Sequence, residues 1–189
     1  MPKLIFIQDK IPRENTDRLF VDTNIFYKIF IITEDPRDRQ IREYALKFLK
    51  YLVSQNKQLF TTTGIIQETS FKIIDTLVRL ELKRNKTPVD QIRTWTHTFY
   101  KKDKNIIEKH LPIVNQFKKF VEKDYGITIC NDDYRNGHKL IETYKLLPRD
   151  AYFLAKAIEN KSDIFTYDTD FRCVKEINKT FIPLPKKLT

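Results

Sequence analysis

Short β-favouring runs alternate with stretches of helical periodicity along most of this chain, and that alternation restricts the fold more than any other feature of it. Leu19-Phe20-Val21 and Ile164-Phe165-Thr166-Tyr167 are apolar or β-favouring runs, each ending in an aspartate, Asp22 and Asp168. Both read as short buried strands. Gln58 to Thr62, Ile127 to Cys130 and Thr180 to Leu184 have the same character. Between the strands, residues 38 to 53 place Ile41, Tyr44, Ala45, Phe48, Leu49 and Leu52 at spacings of three and four, an amphipathic helix. Thr62 or Thr63 would cap a second helix, running to about Leu82. Its apolar stripe includes Phe71, Ile74, Leu77 and Val78, with Glu68 three residues before Phe71 and so close to the stripe. Residues 134 to 146, and a segment through Ala151, Leu154, Ala155 and Ile158, add two more helices. The pattern predicts a single α/β domain with a doubly wound, mainly parallel sheet, and 189 residues suffice for its core.

Two regions exceed that plan. Residues 1–17 form an N-terminal extension with one edge strand, Leu4 to Ile7, and a polar loop. Residues 83–124 form a helical, basic insertion, expected as two helices broken near Pro88 and Pro112. The insertion holds 11 Lys or Arg against five acids, in a chain whose net charge is +10. A surplus placed in this way suits a polyanionic partner, most obviously nucleic acid.

Other classes are excluded or disfavoured. No apolar stretch is long enough to cross a membrane, and Met1-Pro2-Lys3 followed by Leu4 to Ile7 is too short for a signal peptide. Cys130 and Cys173 are far apart and outside any CxxC spacing, so a disulfide framework or thiolate zinc site is not expected and a cytoplasmic setting fits. There is no Gly-rich phosphate loop and no Ser or Cys nucleophile motif. His97, His110 and His138 lack ligand spacing.

What remains is acidic. In open parallel sheets, sites form beyond the carboxyl ends of strands, so Asp22 and Asp168 point at one crevice. Glu68 and Asp150 lie near the starts of two helices. Taken singly, each acid has an ordinary explanation: an Asx turn for Asp22, a helix first-turn acid for Asp150 or Glu68, a turn for Asp168. Gathered in one crevice, the four would repel one another unless neutralised. A divalent cation that prefers oxygen ligands, Mg²⁺ or Mn²⁺, is the simplest remedy.

The same residues resemble four blocks of the PIN-domain family. Leu19-Phe20-Val21-Asp22-Thr23-Asn24-Ile25-Phe26 resembles its opening strand, and Ile65-Ile66-Gln67-Glu68 its second acidic position. Arg149-Asp150-Ala151-Tyr152-Phe153-Leu154-Ala155-Lys156-Ala157 resembles the third, and Thr166-Tyr167-Asp168-Thr169-Asp170-Phe171 the fourth. All four occur in the family's order. The extension and the basic insertion depart from a minimal domain of this kind.

The resemblance implies a PIN-like three-layer α/β/α fold and a metal-dependent nuclease, most often an endoribonuclease, including VapC-type toxins of toxin–antitoxin pairs. It implies Asp22, Asp150 and Asp168 as metal ligands, with Glu68 as a fourth catalytic acid binding metal or orienting water. Asn24, Thr166 and Asp170 would support them from behind. An RNA substrate, an antitoxin protein and a homodimer are the partners it implies. Lys83, Arg84, Lys86, Arg93, Lys101, Lys102 and Lys104 are the candidate RNA contacts; Trp95, Phe99 and Tyr100 could stack on bases, but the spacing of Trp95 and Phe99 on one helix face favours the core. The rivals are an RNA-processing nuclease outside toxin–antitoxin systems, a DNA nuclease, and a non-catalytic RNA-binding or assembly module.

Overall fold

The structure, a computed structural model, describes residues 3–8, 11–12, 15–31, 33, 35–92, 104–168, 171 and 174–183. Its centre is a six-stranded sheet in the order β1-β6-β5-β2-β3-β4, every pairing parallel. The strands are β1 Lys3–Ile7, β2 Arg18–Val21, β3 Gln58–Thr62, β4 Thr128–Cys130, β5 Asp163–Phe165 and β6 Lys179–Pro183. From β2 the chain moves outward through β3 to β4, then returns across β2 to β5, β6 lying beyond. The switch point therefore falls between β2 and β5, where Val21 is level with Phe165.

Side chains alternate across the sheet, so neighbouring positions on β2 and β5 face opposite layers. On one face, Phe48 of α2 (Pro36–Ser54) packs on Phe165 and Phe181 at ring distances of 5.2 and 5.0 Å. On the other, Phe153 meets Phe20 edge-on at 5.6 Å. The buried stripe of α2 is Ile41, Tyr44, Ala45, Phe48, Leu49 and Leu52, as its spacing predicts. Asp35 caps it by accepting from Arg37 N, and Pro36 occupies the first turn, where no N–H is needed. The three-layer α/β/α arrangement follows.

Four local features differ from the sequence reading. The residues after Asp22 form α1, Thr23–Phe30, because the Asp22 carboxylate caps it. Helix α3, Thr63–Arg84, is capped by Thr62, but it buries Ile65, Thr69 and Ile73 and turns Phe71 out, 46% exposed. A stripe spaced by four leaves a residue midway between Thr69 and Ile73 on the far side of the helix. Pro112 does not break the insertion: it lies inside α4, Lys104–Lys119, which a π-helical turn at Phe120–Asp124 ends. An interior proline costs about 3 kcal/mol, and anchors on both sides of it oppose that. Lys109 and His110 bind Glu81 of α3, and Phe117 and Phe120 pack on Phe26 and Phe30 of α1. Pro88 does precede a helical turn at 89–92. Finally, β5 stops at Phe165, so Asp168 sits three residues past the strand, in a turn that begins when Thr166 Oγ1 accepts from Asp168 N.

Further along the chain are α5, Tyr134–Tyr144, and α6, Pro148–Glu159. They pack so closely that a Cβ on Gly137 would lie 2.3 Å from Tyr152 Cδ1 and 2.9 Å from Tyr152 Cα. Among the described residues no helix is long and apolar enough to cross a membrane.

Candidate functional site

A cavity of about 460 Å³ opens over the carboxyl ends of β2 and β5, and Asp22, Glu68, Asp150 and Asp168 all line it. Four elements supply them. Asp22 is the residue between β2 and α1, Glu68 lies in the second turn of α3, Asp150 in the first turn of α6, and Asp168 in the turn after β5. Asn24 lines the cavity as well.

Asp22 is 4% exposed and the most constrained. Its Oδ1 accepts from Thr23 N at 2.6 Å; its Oδ2 accepts from Thr166 Oγ1 at 2.7 Å and from Asn24 Nδ2 at 3.2 Å. Thr166 thus joins two acids, since its hydroxyl also accepts from the backbone of Asp168. Every one of these donors to Asp22 is neutral. Burial therefore dominates and raises its carboxyl to about 6; Thr166 and Thr23 oppose that rise, while Asp150 and Glu68 add to it.

Glu68 is treated in the opposite way. Burial alone would raise it, yet it is held below the ordinary range by Lys72, the Thr23 hydroxyl and Arg149. Lys72 Nζ and Arg149 Nη1 both reach Glu68 Oε1, at 2.8 and 2.6 Å, and Thr23 Oγ1 donates to Oε2 at 2.7 Å. Sequence reasoning did not single out Thr23, Lys72 or Arg149. Lys72 was within reach of it, four residues after Glu68 on one helix face. Arg149 becomes a partner only once α6 is laid beside α3.

The donor set suits a hard divalent cation: carboxylate oxygens, with one acid buried among others and capped only by neutral groups. Yet no three His, Cys, Asp or Glu side chains among the described residues are already drawn into a coordination set. Glu68 in particular is turned to protein cations.

The other predicted residues lie elsewhere. Lys83, Arg84 and Lys86 are exposed around the C-terminal end of α3, Lys83 being about 22 Å from Glu68 at the helical rise. Lys104 opens α4. Arg93, Lys101, Lys102, Asp170, Trp95, Phe99, Tyr100, His97 and Cys173 lie outside the described residues.

No curated protein matches the chain. Among solved structures, the fold is similar to a chain in the crystal structure of VapBC2 from Rickettsia felis bound to a DNA fragment from their promoter. The match has a TM-score of 0.50 and 13% identity, over 87% of this chain and 98% of that one. The PIN domain family model matches residues 19–177, which include all four cavity acids. The chain is a member of the PIN domain family, whose proteins are generally nucleases.

Proposed function

We propose that this chain is a divalent-metal-dependent endoribonuclease. The observation that carries the reading is the burial of Asp22 among Asp150 and Glu68, with its carboxyl raised to about 6 and no cation of the described residues bound to it. Such an acid is costly to ionise in the protein alone, and a bound cation removes that cost. Asp22, Asp150 and Asp168 would hold the ion, Mg²⁺ or Mn²⁺. The ion would supply a more acidic water and charge relief at the phosphate. Thr166 and Asn24 fix the orientation of Asp22, and Thr166 also ties down the backbone of Asp168. Asp170, two residues after Asp168 in the sequence, would assist. The net charge of +10 favours a polyanionic substrate, and Lys83, Arg84, Lys86, Arg93, Lys101, Lys102 and Lys104 would contact the RNA backbone.

The proposed setting is a VapC-type toxin in the cytoplasm with an antitoxin protein as partner, in keeping with the fold shared with a VapBC2 chain. The second reading is a non-catalytic RNA-binding module, favoured by one observation: Lys72 and Arg149 already neutralise Glu68. The deciding experiment is cleavage of a mixed RNA pool by wild type and Asp22→Asn with Mg²⁺, Mn²⁺ or EDTA. Cutting that needs both metal and Asp22 supports the nuclease. Binding that survives EDTA without cutting supports the module.

A further inference from the structure

Asp22 and Glu68 share one anchor. Thr23 donates its N–H to Asp22 Oδ1 at 2.6 Å and its hydroxyl to Glu68 Oε2 at 2.7 Å. One buried residue thus fixes both carboxylates in the lining of a single cavity, and the charge of Glu68 is among the causes that raise Asp22. The two acids part company at the other oxygen of Glu68. Oε1 lies 2.8 Å from Lys72 Nζ and 2.6 Å from Arg149 Nη1. Those two cations are not equivalent. Lys72 sits four residues along α3 from Glu68, so its contact travels with the acid. Arg149 belongs to α6 and immediately precedes Asp150, so its contact runs from one wall of the cavity to another. Its side chain is 54% exposed against 11% for Glu68. The guanidinium can therefore turn out to water, and the carboxylate cannot. Once it does so, two neighbouring acids face the same space with fewer cations to balance them.

We infer that Arg149 is a positioning residue that competes with the divalent cation for Glu68, holding Oε1 until a cation at Asp22 displaces it to solvent. The inference rests on the metal-dependent reading and adds what balances Glu68 before the cation arrives. A divalent ion brings the higher charge, and an ion pair with a half-exposed partner is weak to begin with. Binding linkage makes the competition reciprocal. If the cation displaces Arg149, then Arg149 weakens the cation by the same factor. Because the effect passes through Glu68, it must disappear when position 68 carries no charge. A guanidinium that acted only through its field would weaken the cation whether or not Glu68 were present.

The test is Mn²⁺ binding to the full chain, followed by electron paramagnetic resonance of the free ion, in a double-mutant cycle. Arg149→Gln should tighten Mn²⁺, and the gain should be about tenfold larger with Glu68 present than in the Glu68→Gln background. Asp22→Asn should abolish the binding, which assigns the ion to this cavity. Melting temperatures check that the variants are folded. A second measurement needs no tightened variant. In wild type, the guanidinium signals of Arg149, assigned by their absence from Arg149→Lys, should be lost from nitrogen-edited NMR spectra as Mg²⁺ is added. Equal gains in the two backgrounds, or guanidinium signals that persist with Mg²⁺ bound, overturn the inference. Unchanged or weaker Mn²⁺ binding by Arg149→Gln with a lower melting temperature also overturns it, and makes Arg149 a tie between α3 and α6. The metal reading fails in a different way. No binding by wild type or any variant, or binding that Asp22→Asn leaves intact, removes the cation from the cavity and the inference with it.

Discussion

Asp22 and Asp163 are buried aspartates at opposite ends of the sheet, one just past β2 and the other at the start of its neighbour β5. Both are pushed up by burial first of all. At the amino end, Asp163 is offset by the Thr16 hydroxyl and by Lys179, whose Nζ lies 3.7 Å from Oδ2. At the carboxyl end, Asp22 has Asp150 and Glu68 as its charged neighbours, and both make matters worse. One buried charge has a protein cation beside it; the other, among the described residues, has only neutral hydrogen-bond donors. The difference bears on the proposed cation: Lys72 and Arg149 hold Glu68 below its ordinary range, Thr16 and Lys179 partly offset the burial of Asp163, and the hydrogen bonds to Asp22 among the described residues come from neutral groups alone.

The sharpest way to break the comparison is Asp22→Asn. If Asp22 holds the ion, cleavage should fall at least a hundredfold, since even groups supporting a metal ligand are worth 10–100-fold. Residual activity near wild type, measured on the same RNA pool, would end the assignment.

The next effect is on stability and has a defined sign. Moving a carboxyl from 3.8 to about 6 on folding costs about 3 kcal/mol at neutral pH. Because the folded state binds the proton more tightly, that cost is absent below pH 3.8, grows between there and pH 6, and is complete above it. Metal-free wild type should therefore lose stability across this window as pH rises, and Asp22→Asn should flatten the slope in urea melts. At pH 7 the variant should gain on the order of 1 kcal/mol, the remainder being offset by weaker hydrogen bonds from Thr23 and Thr166. Glu68 acts in the opposite sense. Its folded value is depressed, so its contribution is present above 4.5 and fades as pH falls through the folded value. A metal-free protein whose stability does not change between pH 4 and 6 would remove the contrast.

Gly137→Ala sharpens the comparison from outside the cavity. The added methyl would strike the backbone of Tyr152, two residues after Asp150, and overpacking of this kind costs about 1–3 kcal/mol. The expected result is a lower melting temperature; an unchanged one would mean that α5 can move away from α6 freely. The smallest effect belongs to the compensated end. Lys179→Ala should cost about 1 kcal/mol at pH 7, the ion pair being partly exposed. The cost should shrink in acid as Asp163 takes up a proton, and a pH-independent cost would show that Lys179 acts through packing alone.

Much of this was legible in the chain. The stripe of α2 and the span of β3 follow from spacing alone, because side chains three and four apart share a helix face and alternate ones share a strand face. The four acidic positions could be read in order. The orientation of Phe71 could not, since α3 carries apolar residues on more than one side and only its packing selects the buried one. Pro112 misled for a related reason: its local cost is opposed by contacts that Glu81, Phe26 and Phe30 make with its helix, and those come from elements distant in sequence.

The sequence by itself determined the alternation of strands and helices, the parallel sheet and the acids at the ends of its elements, because periodicity and turn chemistry act over a few residues. Only the tertiary structure decided which charges those acids meet. Asp22 and Asp163 look alike along the chain. Their neighbours, Asp150 and Glu68 for one and Lys179 for the other, come from elements far away in sequence, and the energy of a buried charge is set by what lies within a few ångströms of it.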